Sequence, residues 1–337
     1  MMRRYLSIAI FMSGLMIPAK AQLLPNLGGQ RTGISNLQFL KIGVGARGAA
    51  LGDAMVALAN DASASYWNPA GLTLNASNSV LISHTEWLAG LKHDFAGVVY
   101  HVSPDDILSL SVISLASDDM EITTETNPSG TGMYFSYSDV AFGISYGRKM
   151  TSQFSFGTTI RYVQENLDVL KMKAVLFDLG TYYTMGPGSL RFGVAVSNFG
   201  PDIAPRGDLT LLDGSRVDSY QKFSPPTSFR IGIAFEPYQD ASNKVTMSFQ
   251  LNHPNDNAEN IRIGAEYAWS NWLFLRAGVK RTIGEPFLGI DRKSADDLSF
   301  GVGVVSSLDF TVASFDYAYT HFNELGAVHR ISLGLTY

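Results

Sequence analysis

The chain has 337 residues, a formal net charge of −5, 16% charged residues and no cysteine. This acidic balance excludes nucleic acid as a partner, because binding to a phosphate backbone needs clustered positive charge. The absence of cysteine excludes disulfides and thiol-bound metal, and it is compatible with an exported protein.

The first predicted element is a secretory signal peptide over residues 1–21. Arg3 and Arg4 precede an apolar run over 6–17, and the small residues around Lys20 provide a cleavage point before Gln22. The run is too short to cross a bilayer as a helix. Cleavage would remove three basic residues and no acid, which changes the formal net charge from −5 to −8.

Residues 22–77 form a second predicted unit, rich in Gly and Ala and too small to hold a core of its own. Within it, residues 49–62 are predicted to form a short helix with Met55, Leu58 and Ala62 on one face. Two placements are open. The unit is either a hatch packed inside a wide barrel or a disordered periplasmic arm.

From residue 78 onward, apolar residues alternate with small or polar residues, and turn-forming residues separate the segments. This pattern predicts about fourteen strands in a barrel over 78–337, a number that agrees with the even strand count of bacterial barrels. The predicted bounds are 79–86, 94–102, 107–117, 134–148, 153–164, 174–184, 189–198, 228–236, 244–252, 260–269, 271–280, 297–305, 309–319 and 329–337.

Charged residues in the strands lie in the phase opposite to the apolar set. A charge on the lipid face would cost about 2–4 kcal/mol near the bilayer midplane, so these residues are predicted to face the lumen. The sequence therefore favours an all-β membrane protein, an antiparallel outer-membrane β-barrel with an N-terminal hatch. The predicted lumen-facing charges are Arg161, Asp178, Arg191, Arg230, Arg262, Glu266, Arg276 and Arg330.

The predicted connections alternate in length, as short periplasmic turns and long outer loops do. Short turns are expected at 103–105, 151–152, 186–188, 270 and 306–307, and long loops at 118–133, 198–227 and 281–296. A change of phase predicts a β-bulge near Ala313. The longest loop carries the apolar residues Leu209, Leu211 and Leu212, which predict a docking surface for a protein or an apolar ligand, or a lid over the barrel mouth.

No motif indicates catalysis, a metal or a cofactor. Residues 43–48 match G-x-G-x-x-G, but no βαβ pattern follows, and tight packing in the hatch is the favoured interpretation. The six His residues lack ligand spacing, and no Ser–His pair suggests a nucleophile and its base. We therefore expect a protein that is not an enzyme.

Residues 39–54, 59–64 and 66–71 together resemble the PorV/PorQ family, a branch of the FadL-type outer-membrane barrels. Asn68, Pro69, Ala70 and Gly71 resemble the signature where the hatch meets the wall. An Asn-Pro pair also forms simple corners. The motif therefore predicts either a structural corner or a break in the wall that leaves a lateral opening.

The resemblance implies a fourteen-stranded barrel in the outer membrane and one of two activities. PorV-type members act beside the type IX translocon and take up secreted proteins by their C-terminal signal domains. FadL-type members pass hydrophobic small molecules through an opening beside the hatch. The resemblance also implies that the aromatic Tyr337, after Ile331, Leu333 and Leu335 in the last strand, is recognised by the barrel-assembly machinery.

Overall fold

The computed structural model describes residues 33–185, 189–208, 214–217, 219–283 and 298–337. The predicted leader at 1–21, the turn at 186–188 and the three leucines at 209, 211 and 212 lie outside the described residues. Among the described ranges, no helix is long and apolar enough to cross a membrane.

Sixteen strands are described, and fourteen of them close into one antiparallel barrel in which β1 pairs with β16. The remaining two form a small hairpin in the connection between β3 and β6. The strands are β1 (Ser79–Glu86), β2 (Lys92–His101), β3 (Asp106–Ala116), β4 (Met120–Glu121), β5 (Tyr134–Phe135), β6 (Tyr137–Lys149), β7 (Phe154–Leu167), β8 (Leu170–Thr184), β9 (Arg191–Phe199), β10 (Ser228–Gln239), β11 (Asn243–Pro254), β12 (Asn260–Trp269), β13 (Leu273–Thr282), β14 (Leu298–Leu308), β15 (Thr311–His321) and β16 (Ala327–Thr336). The predicted fourteen-stranded barrel is confirmed.

The two faces of the wall follow the period-two pattern of the sequence. On β6 and β7, Ile144 lies opposite Ile160 and both are exposed on the outside. One residue along, Ser145 lies opposite Thr159, both are buried on the inside, and their hydroxyls are 2.8 Å apart. An apolar exterior and a polar, buried interior are what a lipid-embedded barrel requires.

The turn between β14 and β15 differs from the prediction at 306–307. Strand β14 continues to Leu308, which pairs with Thr311, so the turn consists of Asp309 and Phe310. Asp309 has φ 46°, a left-handed conformation that Asp tolerates better than most residues. The predicted position was wrong because Ser306 and Ser307, although polar, are paired strand residues of β14.

The predicted bulge near Ala313 is also wrong. Ala313 pairs in regular register with Ser306 on one side and Leu335 on the other. Val312 breaks the sequence phase because it lies on the inward-facing side at the short-turn end of the barrel, beside Thr336. The register instead shifts between β8 and β9 near residue 178 and between β10 and β11 near residue 236.

The segment before the barrel forms a plug of short helices, which we define as residues 36–75. It contains α1 (Ala46–Ala50), α2 (Ala64–Trp67) and two 3₁₀ turns at Gln38–Lys41 and Pro69–Leu74. The predicted helix over 49–62 is wrong, because Gly52 and Asp53 both have φ 61° and turn the chain. Its three predicted face residues are nevertheless buried.

Glycines on the inner face of the wall receive the plug. Their missing side chains allow the two backbones to approach, since a Cβ on Gly157 would lie 2.3 Å from the carbonyl carbon of Pro69. Gly147, Gly157 and Gly180 pair with one another across β6, β7 and β8 beneath the same plug turn. Other wall glycines meet the plug near Val56 (Gly193 and Gly232) and near Leu51 (Gly264 and Gly278). The plug therefore contacts the wall on several sides of the lumen.

We expect Gly157→Ala to destabilise the folded barrel by about 1–3 kcal/mol, because the new methyl group would overlap plug backbone that cannot move freely. The measurement is the temperature at which the compact, fast-migrating form disappears on a detergent gel. Gly143→Ala is the matched control, because its Cβ would meet chiefly the Oγ atom of Ser111, which can rotate. Equal transition temperatures for the two variants would contradict the packing described above.

Candidate functional site

Asn68 joins the centre of the plug to the wall. It is fully buried, and its Nδ2 donates to the carbonyl oxygens of Val56 at 2.8 Å and Thr181 at 3.0 Å. Its Oδ1 accepts from the N–H of Ala70 at 3.1 Å, which caps the 3₁₀ turn that Pro69 begins. Position 71 requires glycine, because a Cβ there would lie 2.3 Å from the carbonyl oxygen of Ala59. This geometry makes the motif a buried corner.

The same motif lies inside the lumen, away from the point where the chain enters the wall at Ser79. The strands that it touches, β6, β7 and β8, are paired with one another beside it, while the register of β8 against β9 shifts between Phe177 and Leu179. In the part of the chain that the structure describes, the fourteen strands form a closed barrel. A lateral opening near Asn68-Pro69 stays a prediction, because a buried corner and an opening in the wall can occur together.

The predicted inward charges lie around the plug. Arg161 and Asp178 are 2% and 1% exposed, and their side chains pair at 2.6 Å. Arg230 is also buried and lies over the rings of Tyr66 and Trp67, with its guanidinium carbon 5.4 and 5.7 Å from the ring centroids. These contacts stabilise buried cations by a paired acid in one case and by aromatic faces in the other.

A chain of ion pairs links α1 of the plug to strands β12, β13 and β15. Glu266 accepts hydrogen bonds from Arg47 at 3.0 and 3.1 Å and from Arg276 at 2.6 Å. Arg276 also donates to Asp316 at 2.6 Å. Both carboxylates of this ion-pair network therefore have a guanidinium partner, which a buried charge requires.

The remaining predicted charges are bound separately. Arg191 pairs with Glu236 near the short-turn end, and Arg262 lies 3.5 Å from the Asp53 carboxylate of the plug. Arg330 lies 5.3 Å from the ring centroid of Trp87.

Sequence reasoning placed Glu266 and Arg262 on the inner face but missed their plug partners, which are Arg47 and Asp53 respectively. Strand phase carries no information about the position of an irregular segment.

Asp256 holds the start of the plug at the long-loop end of the barrel. Its carboxylate accepts from Ser35, from Gln38 at 3.0 Å and from Lys41 at 3.1 Å. Burial alone would raise the pKa of this carboxyl group, but the three donors outweigh burial, and the pKa is lower than its usual value. The Asp256 carboxylate is therefore ionised at neutral pH. We call its contacts with Ser35, Gln38 and Lys41 the clamp.

Above the plug, the long-loop end of the barrel contains a vestibule of about 500 Å³. Its floor comes from the plug, including Phe39 and Ile42, and its walls come from the ends of several strands. Trp87 packs edge-on against Phe322 with ring centroids 5.3 Å apart. The other wall residues include Leu91, Leu115, Tyr137, Lys280, Ser299, Thr320 and Arg330.

The vestibule combines aromatic and aliphatic walls with three cations and one acid. Lys41, Lys280 and Arg330 line it together with Asp53. A cavity of this size, mostly apolar with a few polar groups, is typical of a site for a small molecule or a side chain of a partner protein.

Two other predicted features have clear positions. The glycines of the 43–48 motif pack the plug, because a Cβ on either Gly43 or Gly48 would lie 2.8 Å from the ring of Trp67. Tyr337 is 57% exposed, and its N–H donates to the carbonyl oxygen of Asn78 at 2.9 Å. It continues the exposed column of Leu333 and Leu335 on the lipid face.

We expect Glu266→Gln to destabilise the protein by about 3–5 kcal/mol, because it removes the shared carboxylate from two buried guanidinium groups. Denaturant unfolding in detergent measures this change. Asp118→Asn is the control: it breaks the exposed pair with Lys92 and should leave the unfolding midpoint unchanged. A midpoint shift for Glu266→Gln no larger than the control's would contradict the role of the network.

We expect Asp256→Asn to loosen the start of the plug, seen as faster amide hydrogen exchange over residues 34–45 with no change in the barrel strands. Because the folded-state pKa is lowered, the clamp contributes fully above the ordinary carboxyl pKa and is lost as the pH falls through the folded-state value. Asp240→Asn, in an exposed turn at the other end, is the control. Unchanged exchange over 34–45 in Asp256→Asn would contradict the clamp.

Comparison with known proteins agrees with this architecture. The toluene transporter TodX of Pseudomonas putida has a TM-score of 0.58 and 12% identity, with 87% of this chain and 98% of TodX covered. The toluene transporter TbuX of Ralstonia pickettii gives 0.55 and 13%, covering 87% and 97%. A FadL homologue of Pseudomonas aeruginosa gives 0.51 and 13%, covering 87% and 98%. These identities show a shared FadL-type fold and nothing finer.

No curated protein sequence matches the chain. The family described as "Type IX secretion system protein PorV" matches residues 27–254. Fold and family are those of a secretion or transport barrel, and both point to the outer membrane. Because the match covers most of the sequence, the chain belongs to the PorV family of type IX secretion system proteins.

Proposed function

We propose that this protein binds an exported protein at the outer mouth of a plugged barrel, as a membrane component of type IX secretion. The observation that carries the proposal is the filled lumen. The plug meets wall glycines near Leu51, Val56 and Pro69, on different arcs of the barrel, and in this arrangement of the described residues the plug would obstruct a polypeptide in the lumen. A partner protein would then be held at the surface instead of being conducted through the barrel.

The hairpin β4–β5 is an ordered part of the long-loop end with exposed apolar side chains that a partner protein could contact. Its backbone is ordered by hydrogen bonds between Ile122 and Met133 at 2.8 Å and between the Glu121 carboxylate and Gly132 at 3.0 Å. Met133 and Tyr134 are 59% and 61% exposed, although both are large apolar residues. Exposed aromatic and Met side chains are typical of protein interfaces.

The same segment of the chain carries four acidic residues, of which Asp118 pairs with Lys92: Asp118, Asp119, Glu121 and Glu125. A basic segment of a partner would be attracted to this surface, which would raise the association rate more than the affinity. The partner chemistry that fits best is therefore an exported protein with a basic segment beside an apolar side chain. Leu209, Leu211 and Leu212, which lie in the connection after β9 and outside the described residues, stay a predicted docking surface.

A second candidate function is the binding or passage of a hydrophobic small molecule, and the vestibule supports it. TodX and TbuX, two of the structurally similar proteins, are toluene transporters, and the vestibule is lined by the aromatic residues Phe39, Trp87 and Phe322. Passage beyond the vestibule would require the plug to move, because the plug residues beneath the vestibule floor are buried. The two candidates use different residues and can be separated by mutation.

We expect Met133→Ser combined with Tyr134→Ser to reduce secretion of proteins with C-terminal signal domains, because the double change removes the apolar contact surface of the hairpin. The measurement is the secreted proteome of a deletion strain complemented with each variant. Leu325→Ser is the control, since Leu325 is equally exposed in the β15–β16 turn. Trp87→Ala tests the second candidate by uptake of hydrophobic compounds.

Normal secretion in the hairpin variant and in the deletion strain itself would contradict the first candidate. A secretion defect in the hairpin variant with normal uptake in Trp87→Ala would support it over the second.

A further inference from the structure

The lipid-facing side chains of β8 change from apolar to basic near the long-loop end of the strand. Leu179, Phe177 and Val175 are exposed apolar residues on this face, and the next two residues in the same phase are Lys173 and Lys171, both exposed. The strand therefore ends its apolar column with two consecutive outward-facing cations at the long-loop end.

The outward-facing side chains of the neighbouring strand β7 become polar at the same position along the barrel. Tyr162 lies opposite Val175, and the next outward position, Gln164, lies opposite Lys173. From Tyr183 to Val175 the chain spans eight residues, about 27 Å along the strand and roughly 20 Å across the membrane at the usual tilt. The apolar band of such barrels is about 25 Å tall, so Lys173 lies at its outer edge, where lipid headgroups begin.

A third cation joins these two from the loop after β9. Arg206 forms an isolated antiparallel bridge with Lys171, with N···O distances of 2.8 and 2.9 Å in the two directions. Residues opposed in this way place their side chains on the same face at about 5.5 Å between Cα atoms. Two like charges in direct opposition are unfavourable unless an anion lies between them.

Three acids, Asp168, Asp202 and Asp208, line the same groove as the cations, and the Asp202 carboxylate accepts a hydrogen bond from Ser224 at 2.7 Å. None of the ion pairs among the described residues involves Lys171, Lys173 or Arg206. By contrast, the outward residues at the same end of β1 and β2 are His84, Glu86 and Asp94, bound to one another.

We propose that Lys171, Lys173 and Arg206 bind a phosphate group on the headgroup of an outer-leaflet glycolipid. Three cations on one face attract the negative charge of a phosphate ester, and a guanidinium offers forked donors to its oxygen atoms. The apolar column of Val175, Phe177 and Phe199 below them would contact the acyl chains of the same lipid. The site rests on the membrane position of the barrel and is independent of the proposed function.

The test uses the purified full-length protein in neutral detergent with lipid A that carries its phosphates, and with the same lipid after chemical dephosphorylation. Retained lipid is measured by native mass spectrometry across a range of lipid concentrations. We expect the phosphorylated lipid to bind at least tenfold more tightly than the dephosphorylated one, with an affinity that falls as salt is added.

The triple variant Lys171→Gln, Lys173→Gln and Arg206→Gln should lose at least tenfold in affinity for the phosphorylated lipid. The matched control is Lys92→Gln, Arg148→Gln and Lys149→Gln, which removes the same charge from other accessible positions and should bind within twofold of the native protein. Heat-dependent migration on a gel verifies that both variants are folded.

Three results would overturn the proposal. They are equal loss of affinity in the two triple variants, equal binding of the two lipids, and full displacement of the lipid by inorganic phosphate at the same concentration. The last result would mean that the cations attract any anion and that no lipid site is built there.

Discussion

The close approach of plug and wall backbones is the constraint on which the rest of this structure depends. A barrel of fourteen strands is too wide for its own inward side chains to fill, so its lumen holds either water or another segment of the chain. Glycine at the inward positions lets the plug chain lie directly against the strands, as Pro69 does against Gly157 and Val56 does against Gly193. Small residues in the inward phase thus reflect a filled interior rather than an open one.

Filling the lumen with backbone excludes water and leaves polar groups that must find partners within the protein. The wall supplies some of these partners. The N–H of Val56 donates to Gln250 at 2.9 Å, and the N–H of Ala46 donates to Ser332 at 2.8 Å. The same exclusion of water explains why Glu266 is shared by two arginines, because a buried carboxylate without a cation would be costly.

Strand number and the inward direction of the charges could be predicted from sequence, because both follow from a period of two and from the cost of placing a charge in lipid. The partners of those charges could not. Whether Glu266 meets Arg47 depends on how far the plug chain extends across the lumen, and no periodicity encodes that distance. The predicted helix over 49–62 failed for a related reason, since two residues with positive φ at 52 and 53 interrupt an otherwise apolar run.

The central claim is that the protein acts with its plug in place, holding a partner at the outer mouth. Ala50 of the plug and Ala318 of β15 pack in one buried cluster, and the chain has no cysteine, so Ala50→Cys with Ala318→Cys would tether the plug to the wall in an oxidising compartment. Secretion in a strain that carries the tethered protein is the most direct measurement. The account predicts export equal to that of the single-cysteine controls, and a block of export that a reductant reverses would contradict it.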